Sequence, residues 1–234
     1  MTNEVLIDID GNQYKTVKIG NQIWMAENYK TTRYRDGRQI NYSKDYNDWK
    51  KFVIERNGAF CYVEYNTEYK DKYGALYNAI AIRHPSFAPR GWHVPTSAEW
   101  NELIKYCGTD EKSSSESLKA TSGWEIHREL SFYKRITNIL KGVPSEEKYN
   151  GNNKSGFNAL ANNHFSYACE ASWWCIDYSD VLNNISFNLF SSEDFDQCSM
   201  AYWVDDDENY GYINPLEPDS SDLLNLSVRL IKDI

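Results

Sequence analysis

Short runs of alternating apolar and polar residues recur along this 234-residue chain, and dipeptides that favour tight turns separate them. The first such segment, VLIDIDGNQYKTVKIGNQIWMAEN, is interrupted at Asp10-Gly11 and again at Gly20-Asn21. Alternation with a period of two is typical of half-buried β-strands, and these dipeptides are typical of the turns between them. Aromatic residues form 15% of the chain, which also favours β and irregular structure over a helical bundle. We therefore expect a hairpin or meander at the start of a loop-rich globular fold.

The clearest helix signal lies in the stretch PRGWHVPTSAEWNELIKYCG. Thr96 and Glu99 have the spacing of a capping box, in which each side chain bonds to the other residue's backbone amide. Four apolar residues then follow at the spacing of one helical face: Trp100, Leu103, Ile104 and Cys107. Gly108 is placed to end this helix as a C-cap. His93 has no His, Cys or Ser at a spacing that implies catalysis, so we interpret it as a hydrogen-bonded structural residue.

The remaining segments give weaker signals. Residues 41–58 are polar and are predicted to form a loop, whereas residues 58–66 alternate as a half-buried strand. Residues 73–82 are small and apolar, which fits either a strand or a short helix. A second short helix is predicted around residues 114–120. Because the sequence contains no tandem repeat and no clean linker, we expect a single domain over residues 1–234.

The formal net charge of −9 is distributed unevenly. Residues 155–228 contain no Lys or Arg, and they contain 13 acidic residues. Nucleic-acid binding requires a basic surface for the phosphates, so nucleic acid is not expected as a partner. A solvated acidic surface explains the same pattern without any ligand.

Cysteine usage and hydropathy narrow the class of protein further. Five cysteines stand at irregular spacings: Cys61, Cys107, Cys169, Cys175 and Cys198. The odd number and the lack of a CxxC pair favour free thiols over a disulfide framework. No run of about 18 apolar residues occurs, so no membrane span is expected. The N-terminal MTNEVLIDIDG has no basic start and no apolar core of signal-peptide length, so we expect no address to general secretion.

Seven motifs in a fixed order resemble the Fibrobacter succinogenes major paralogous domain family, across about residues 8–233. They are DIDGNQYKTVKIGNQIWMAEN, YRDG, YGALYNAIAI, PRGWHVPTSAEWNEL, LKATSGW, NKSGFNAL and SVRLIKD. The resemblance implies an α+β, C-type-lectin-like fold with two helices, small antiparallel sheets and a long irregular loop region. One sheet would join the chain ends, residues 92–95 would be framework, and the C-terminal third would carry the ligand surface.

The C-terminal third departs from the pattern of that family. Residues 172–180 are SWWCIDYSD where relatives often have YWSSTE, and residues 225–230 are NLSVRL where they often have GFSVRC. The framework motifs are faithful by comparison. A changed ligand or a changed host assembly would produce such a difference.

The candidate ligand surface combines aromatic side chains with Asp, Asn and Ser between residues 165 and 212. Aromatic faces stack on sugar rings or peptide side chains, and loops rich in Tyr, Ser and Asn on a rigid frame have the chemistry of antibody paratopes. Four of the aromatic residues are expected in the core beneath the loops: Trp173, Trp174, Phe187 and Trp203. The predicted ligand-binding residues are Tyr178, Asp180, Asp205, Asp206, Asp207, Asn209, Tyr210 and Tyr212.

Two chemical alternatives arise in the same region. C-type lectins that bind sugar through calcium use a Glu-Pro-Asn type of loop followed by Trp-Asn-Asp, and the candidate calcium ligands here are Asp205, Asp207, Glu217 and Asp219. The order of the two elements is reversed and their spacing is irregular, so we favour a solvated acidic turn and expect no cofactor. Formylglycine-generating enzymes, which activate sulfatases, share the broad fold and use paired cysteines, which invites comparison with Cys169 and Cys175. The acidic surroundings would raise the pKa of a thiol, so an enzyme is the least favoured interpretation.

These observations favour a non-enzymatic, lectin-like binding or adhesion module that recognises a carbohydrate or protein partner. The alternative is a structural or receptor-binding subunit of a phage virion or cell-surface assembly. Either interpretation places the protein at a cell surface, outside the cell or on a virion.

Overall fold

The computed structural model describes the chain in seven stretches: 5–127, 146–148, 150–165, 168–176, 184–192, 196–203 and 223–233. Five α-helices lie within them: α1 (Tyr46–Ile54), α2 (Lys70–Tyr73), α3 (Ala79–Arg83), α4 (Ser97–Cys107) and α5 (Glu111–Leu118). The first seven strands are β1 (Val5–Ile7), β2 (Gln13–Ile19), β3 (Gln22–Met25), β4 (Asn41–Tyr42), β5 (Ala59–Cys61), β6 (Leu76–Tyr77) and β7 (Trp92–His93). The others are β8 (Glu125–His127), β9 (Glu146–Lys148), β10 (Asn163–Phe165), β11 (Ala168–Cys175), β12 (Asn184–Ser192), β13 (Asp196–Trp203), β14 (Leu226–Ser227) and β15 (Ile231–Lys232). The architecture is α+β, as predicted.

Two sheets organise these strands. The smaller has the order β1-β2-β3-β15-β7, so the last strand pairs between β3 and β7 and joins the two ends of the chain, as expected. The larger has eight strands in the order β13-β12-β11-β14-β6-β5-β4, with β10 added beside β11. The expectation of small antiparallel sheets is wrong for this larger sheet, because its β4–β5 and β11–β14 pairs are parallel. A two-stranded pair, β8-β9, stands apart from both.

The N-terminal meander and the capped helix are confirmed. Turns at residues 8–11 and 19–22 connect β1, β2 and β3, so both turn dipeptides were assigned correctly. Thr96 and Glu99 form the complete capping box of α4, and Trp100 and Leu103 are fully buried. Gly108 ends the helix, although its φ of −167° is extended and not left-handed. Glycine is required there because a Cβ would lie 2.4 Å from the start of α5.

Three secondary-structure predictions were wrong or incomplete. Residues 46–54, predicted as loop, form α1, whose buried side consists of only Trp49 and Val53. Residues 59–61 form a fully buried strand between β4 and β6 and not a half-buried one, and a 3-10 turn at Val63–Tyr65 follows. Residues 73–82 contain both alternatives, since β6 is followed directly by α3.

The helix count also needs correction. The described stretches contain five α-helical segments and not two, and three of these, α1, α4 and α5, have eight or more residues. Helix α5 lies at the predicted place but begins at residue 111, because the Asp110 side chain accepts from the Ser113 amide and caps it. None of the helices in these stretches is long and apolar enough to cross a bilayer.

Aromatic rings fill the core between the two sheets. The Trp24 and Trp100 rings lie 4.7 Å apart, and Phe157 contacts both of them at 5.9 and 5.8 Å. Trp173 closes this cluster, 5.8 Å from Phe157. Trp173 and Trp174 are 0% and 1% exposed, which confirms their assignment to the core. For Phe187 and Trp203, which were assigned to the core with them, the side chains lie outside the described part of the chain.

Candidate ligand-binding site

The three longest described strands meet the boundaries of the two predicted loop segments at one end of the larger sheet. Strands β11, β12 and β13 form an antiparallel meander in which Cys175 pairs with Ile185 and Ile185 pairs with Tyr202. The chain therefore enters residues 177–183 and residues 204–222 from the same end of these strands. The predicted ligand-binding residues belong to these two segments, which lie outside the described residues.

Hydrogen bonds to Pro95 and to helix α1 fix the point where the first of these segments starts and the point where the second finishes. The Ile176 amide, directly after β11, donates to the Pro95 carbonyl oxygen at 2.9 Å. Pro95 precedes the capping box of α4. The stretch that leads into this helix is therefore scaffold, which holds the chain where it leaves β11. The Trp49 Nε1 on α1 donates to the Leu223 carbonyl oxygen at 2.9 Å, where the chain returns. The framework thus holds both boundaries of the predicted display region.

The side-chain amide of Asn28 is buried, and all of its hydrogen-bond donors and acceptors have partners. The side chain of Asn28 follows β3, and its Nδ2 donates to the Tyr73 carbonyl at 2.9 Å and to the Ser227 hydroxyl at 3.2 Å. Its Oδ1 accepts from Trp173 Nε1 at 2.9 Å and from Arg229 Nε at 2.7 Å. A buried polar group costs little when all its hydrogen bonds are made, so Asn28 joins β14, α2 and β11 rigidly.

Arg229 is a buried cation held by neutral groups. Its residue surface is 2% exposed, and its Nη atoms donate to the carbonyls of Met25, Phe157 and Asn158. The guanidinium carbon stacks 4.4 Å from the centre of the Phe157 ring and 5.8 Å from that of Trp173. Burial lowers the pKa of Arg229 to about 9, so the group stays charged at neutral pH. Partial charges of carbonyls and aromatic faces stabilise this cation.

The model of the Fibrobacter succinogenes major domain family matches residues 17–232. The chain belongs to this family. No protein of curated function matches the chain, and no solved structure matches it.

Three of the sequence motifs of this Fibrobacter succinogenes major domain supply the residues around the Arg229 side chain. WMAEN supplies Asn28, SGFNAL supplies Phe157 and Asn158, and SVRL supplies Arg229 itself. The sequence identifies these motifs but does not predict that they contact one another, because residues 28 and 229 lie 201 positions apart. Arg229 is the first Lys or Arg after Lys154, and this position was the signal that could have drawn attention to the site.

His93 of the major domain lies between two carboxylates and has a structural role, as its sequence context indicated. Its Nδ1 is 2.6 Å from Asp233 Oδ1, and its Nε2 is 2.9 Å from Glu99 Oε1. The hydrogen bond with Glu99, followed by that with Asp233, raises the pKa of His93 above its usual value. The charged imidazolium can donate from both nitrogens, so it links α4 to the last strand.

The pH dependence of this link gives a first prediction. A raised folded-state pKa means that His93 stabilises the protein fully below about pH 6.5 and loses this effect as pH rises through the folded-state pKa. His93→Gln is therefore expected to lower the free energy of unfolding by about 0.5–1 kcal/mol at pH 5.5, and by less at pH 9. Urea unfolding of both proteins at several pH values measures the difference. Asp233→Asn should reproduce part of the effect, and a difference independent of pH would contradict the assignment.

Burial makes the thiols of Cys61 and the partly buried Cys107 weakly nucleophilic. Burial raises the pKa of Cys61 to about 12 and that of Cys107 to about 11. Cys61, Cys107 and Cys175 are thiols that form no disulfide, as predicted. Cys169 and Cys175 lie on the same strand six residues apart, so their Cα atoms are about 20 Å apart. A cysteine pair acts together only within about 7 Å, so these two cannot form the pair of a formylglycine-generating type of enzyme.

Asp8 and Asp10, near the start of the chain, are engaged with protein donors. Asp8 accepts from the Tyr14 hydroxyl at 2.6 Å, and Asp10 pairs with Arg33 at 2.5 Å. The described residues hold no group of three His, Cys, Asp or Glu side chains arranged for a metal ion. The four candidate calcium ligands lie outside those residues: Asp205, Asp207, Glu217 and Asp219.

Proposed function

We propose that this chain is a single-domain, non-enzymatic recognition module with a C-type-lectin-like fold, which binds a carbohydrate or protein at a cell surface. The observation that carries the proposal is the common strand end from which residues 177–183 and 204–222 start. Loops that start from one edge of a rigid sheet can form one continuous surface, which is how binding sites are built on many scaffolds. The aromatic and acidic composition of both segments suits sugar hydroxyls, sugar ring faces or a basic peptide.

Hydrogen bonds at the boundaries of the loop segments support the proposal that a rigid scaffold holds these segments. Ile176 and Leu223 are fixed at the boundaries by Pro95 and Trp49, respectively. A pre-organised scaffold lowers the entropy lost on binding, so loop side chains can give useful affinity from a small surface. We expect no cofactor, and we assign the acids of 205–208 to ligand contact and not to calcium.

A glycan array combined with a pull-down from host envelope tests this function. Tyr210→Ala and Asp206→Asn are each expected to weaken binding by about tenfold, since central aromatic and charged contacts contribute about 1–2 kcal/mol. Chelation of calcium should leave binding unchanged.

Matched controls come from α4, which lies in the framework. Tyr106, 67% exposed, gives the control Tyr106→Ala, and the exposed Glu102 gives Glu102→Gln. Neither control should change binding. Equal losses in the loop and control variants would overturn the assignment of the surface, and turnover of a bound ligand would overturn the non-enzymatic function.

An exposed apolar edge favours the second candidate, a subunit of a virion or surface assembly. Strand β1 is at the end of the smaller sheet, and Val5 and Ile7 on it are 47% and 57% exposed, followed by Ile9 at 39%. Such an edge can pair with a strand of another chain. A signal on the glycan array supports carbohydrate recognition by the loops, whereas a structural subunit that pairs through β1 gives no such signal.

A further inference from the structure

A cleft of about 320 Å³ opens between residues 26–30, α2 and residues 158–160. Its volume is at the lower end of the range for small-molecule sites, which suits a ligand the size of a monosaccharide or amino acid. The described residues that line the cleft belong to the framework, and none of them comes from the loop segments of the proposed function.

The floor of the cleft includes the buried guanidinium of Arg229, and no described ion pair joins it to a carboxylate. Arg229 has five N–H groups, and the described hydrogen bonds use four of them, all to neutral oxygens. The remaining N–H is on Nη2, whose other hydrogen bond goes to Asn158, and both residues line the cleft. An oxygen of a bound anion could accept from this N–H and offset the buried charge.

Lysines at the rim add to this positive charge. Lys30 and Lys72 line the cleft with two carboxylates, Glu27 and Asp71, so the five charged groups including Arg229 sum to +1 in a chain of −9. Lys30 Nζ pairs with Asp71 at 3.0 Å, but the Asp71 side chain is 86% exposed whereas that of Lys30 is 20% exposed. Exposed ion pairs of this kind are weak, so a ligand carboxylate can replace Asp71 on Lys30.

We propose that this cleft binds a small monocarboxylate, such as an acidic monosaccharide, whose carboxylate contacts Lys30, Lys72 and the free N–H of Arg229. A single negative charge matches the net charge of +1, whereas a phosphate dianion would exceed it. A neutral sugar of the same size would leave the fifth N–H of Arg229 without an anionic acceptor, and it could not take the place of Asp71 on Lys30.

Titration of the full chain with glucuronate and with glucose, followed by protein NMR, tests this directly. The two sugars differ only in the carboxylate, so glucuronate is expected to bind at least about tenfold more tightly than glucose and than inorganic phosphate. Lys30→Met and Lys72→Met should each weaken glucuronate binding about fivefold, and Asp71→Asn should strengthen it by releasing Lys30. Lys51→Met on α1 removes the same charge from a side chain that is 65% exposed outside the cleft, and should leave the affinity unchanged.

The outcomes separate this site from the loop surface. Tyr210→Ala should not change glucuronate binding, so failure of the loop proposal leaves the cleft proposal standing, and the reverse also holds. Equal affinity for glucuronate and glucose would overturn the cleft proposal. So would a weakening by Asp71→Asn, or a loss with Lys51→Met as large as that with Lys30→Met.

Discussion

Replacement of Arg229 by leucine is expected to lower the free energy of unfolding by about 4 kcal/mol, the range for breaking a buried charged network. The carbonyls of Phe157 and Asn158 would lose the donors that now bind them, and Asn28 would lose one of its two donors. Leucine is also too short to cover the faces of Phe157 and Trp173, so a void would add to the cost.

Two further variants identify the cause of that loss. Arg229→Lys should recover little stability, because an ammonium group has no planar fork to reach three carbonyls and cannot stack on two rings. Arg90→Leu, at an exposed position, should change stability by less than about 0.5 kcal/mol. Urea unfolding measures all three. An Arg229→Leu protein within about 1 kcal/mol of the unmodified chain would mean that solvent, and not the guanidinium, satisfies these carbonyls.

Local signals in the sequence predicted the elements whose causes are local. The capping box of α4 depends on Thr96 and Glu99, which are three positions apart. The apolar face of this helix depends on side chains within the two turns that follow. Helix α1 was missed because only Trp49 and Val53 on it are buried, and a stripe of two residues in a polar segment gives no clear period. Tertiary contact with β5 and with Leu223 stabilises α1, and no local pattern encodes such contacts.

Family resemblance identified the right motifs without their geometry. The stretches around Asn28, Phe157 and Arg229 were recognised as motifs of the family, but only the folded chain brings them to one buried centre. Periodicity describes which face of an element is buried, whereas a polar network depends on side chains from distant elements meeting at hydrogen-bond distance. The predicted loop residues between 178 and 219 stay a prediction, since composition alone placed them on the surface.

Gly74→Ala is expected to cost about 4 kcal/mol, because its effect combines backbone strain with a collision against backbone. Gly74 follows α2 at φ +74° and ψ −158°, a conformation available almost only to glycine. A Cβ there would lie 2.8 Å from the Asn28 Cβ and 2.9 Å from the Tyr29 carbonyl oxygen, and neither can move without disturbing the Arg229 network. Thermal or urea unfolding measures the loss.

The matched control is Gly37→Ala, which separates strain from collision. Gly37 also has a left-handed φ, of +91°, but a Cβ there would meet nothing within 4 Å. Its replacement should cost only the strain, about 1–2 kcal/mol. The difference in unfolding free energy between the two variants therefore measures the cost of the collision at residue 74. That close approach of the 28–29 backbone is what lets Asn28 reach the Tyr73 carbonyl. Equal costs would show that this approach is loose, and the rigid connection assigned to Asn28 would then be wrong.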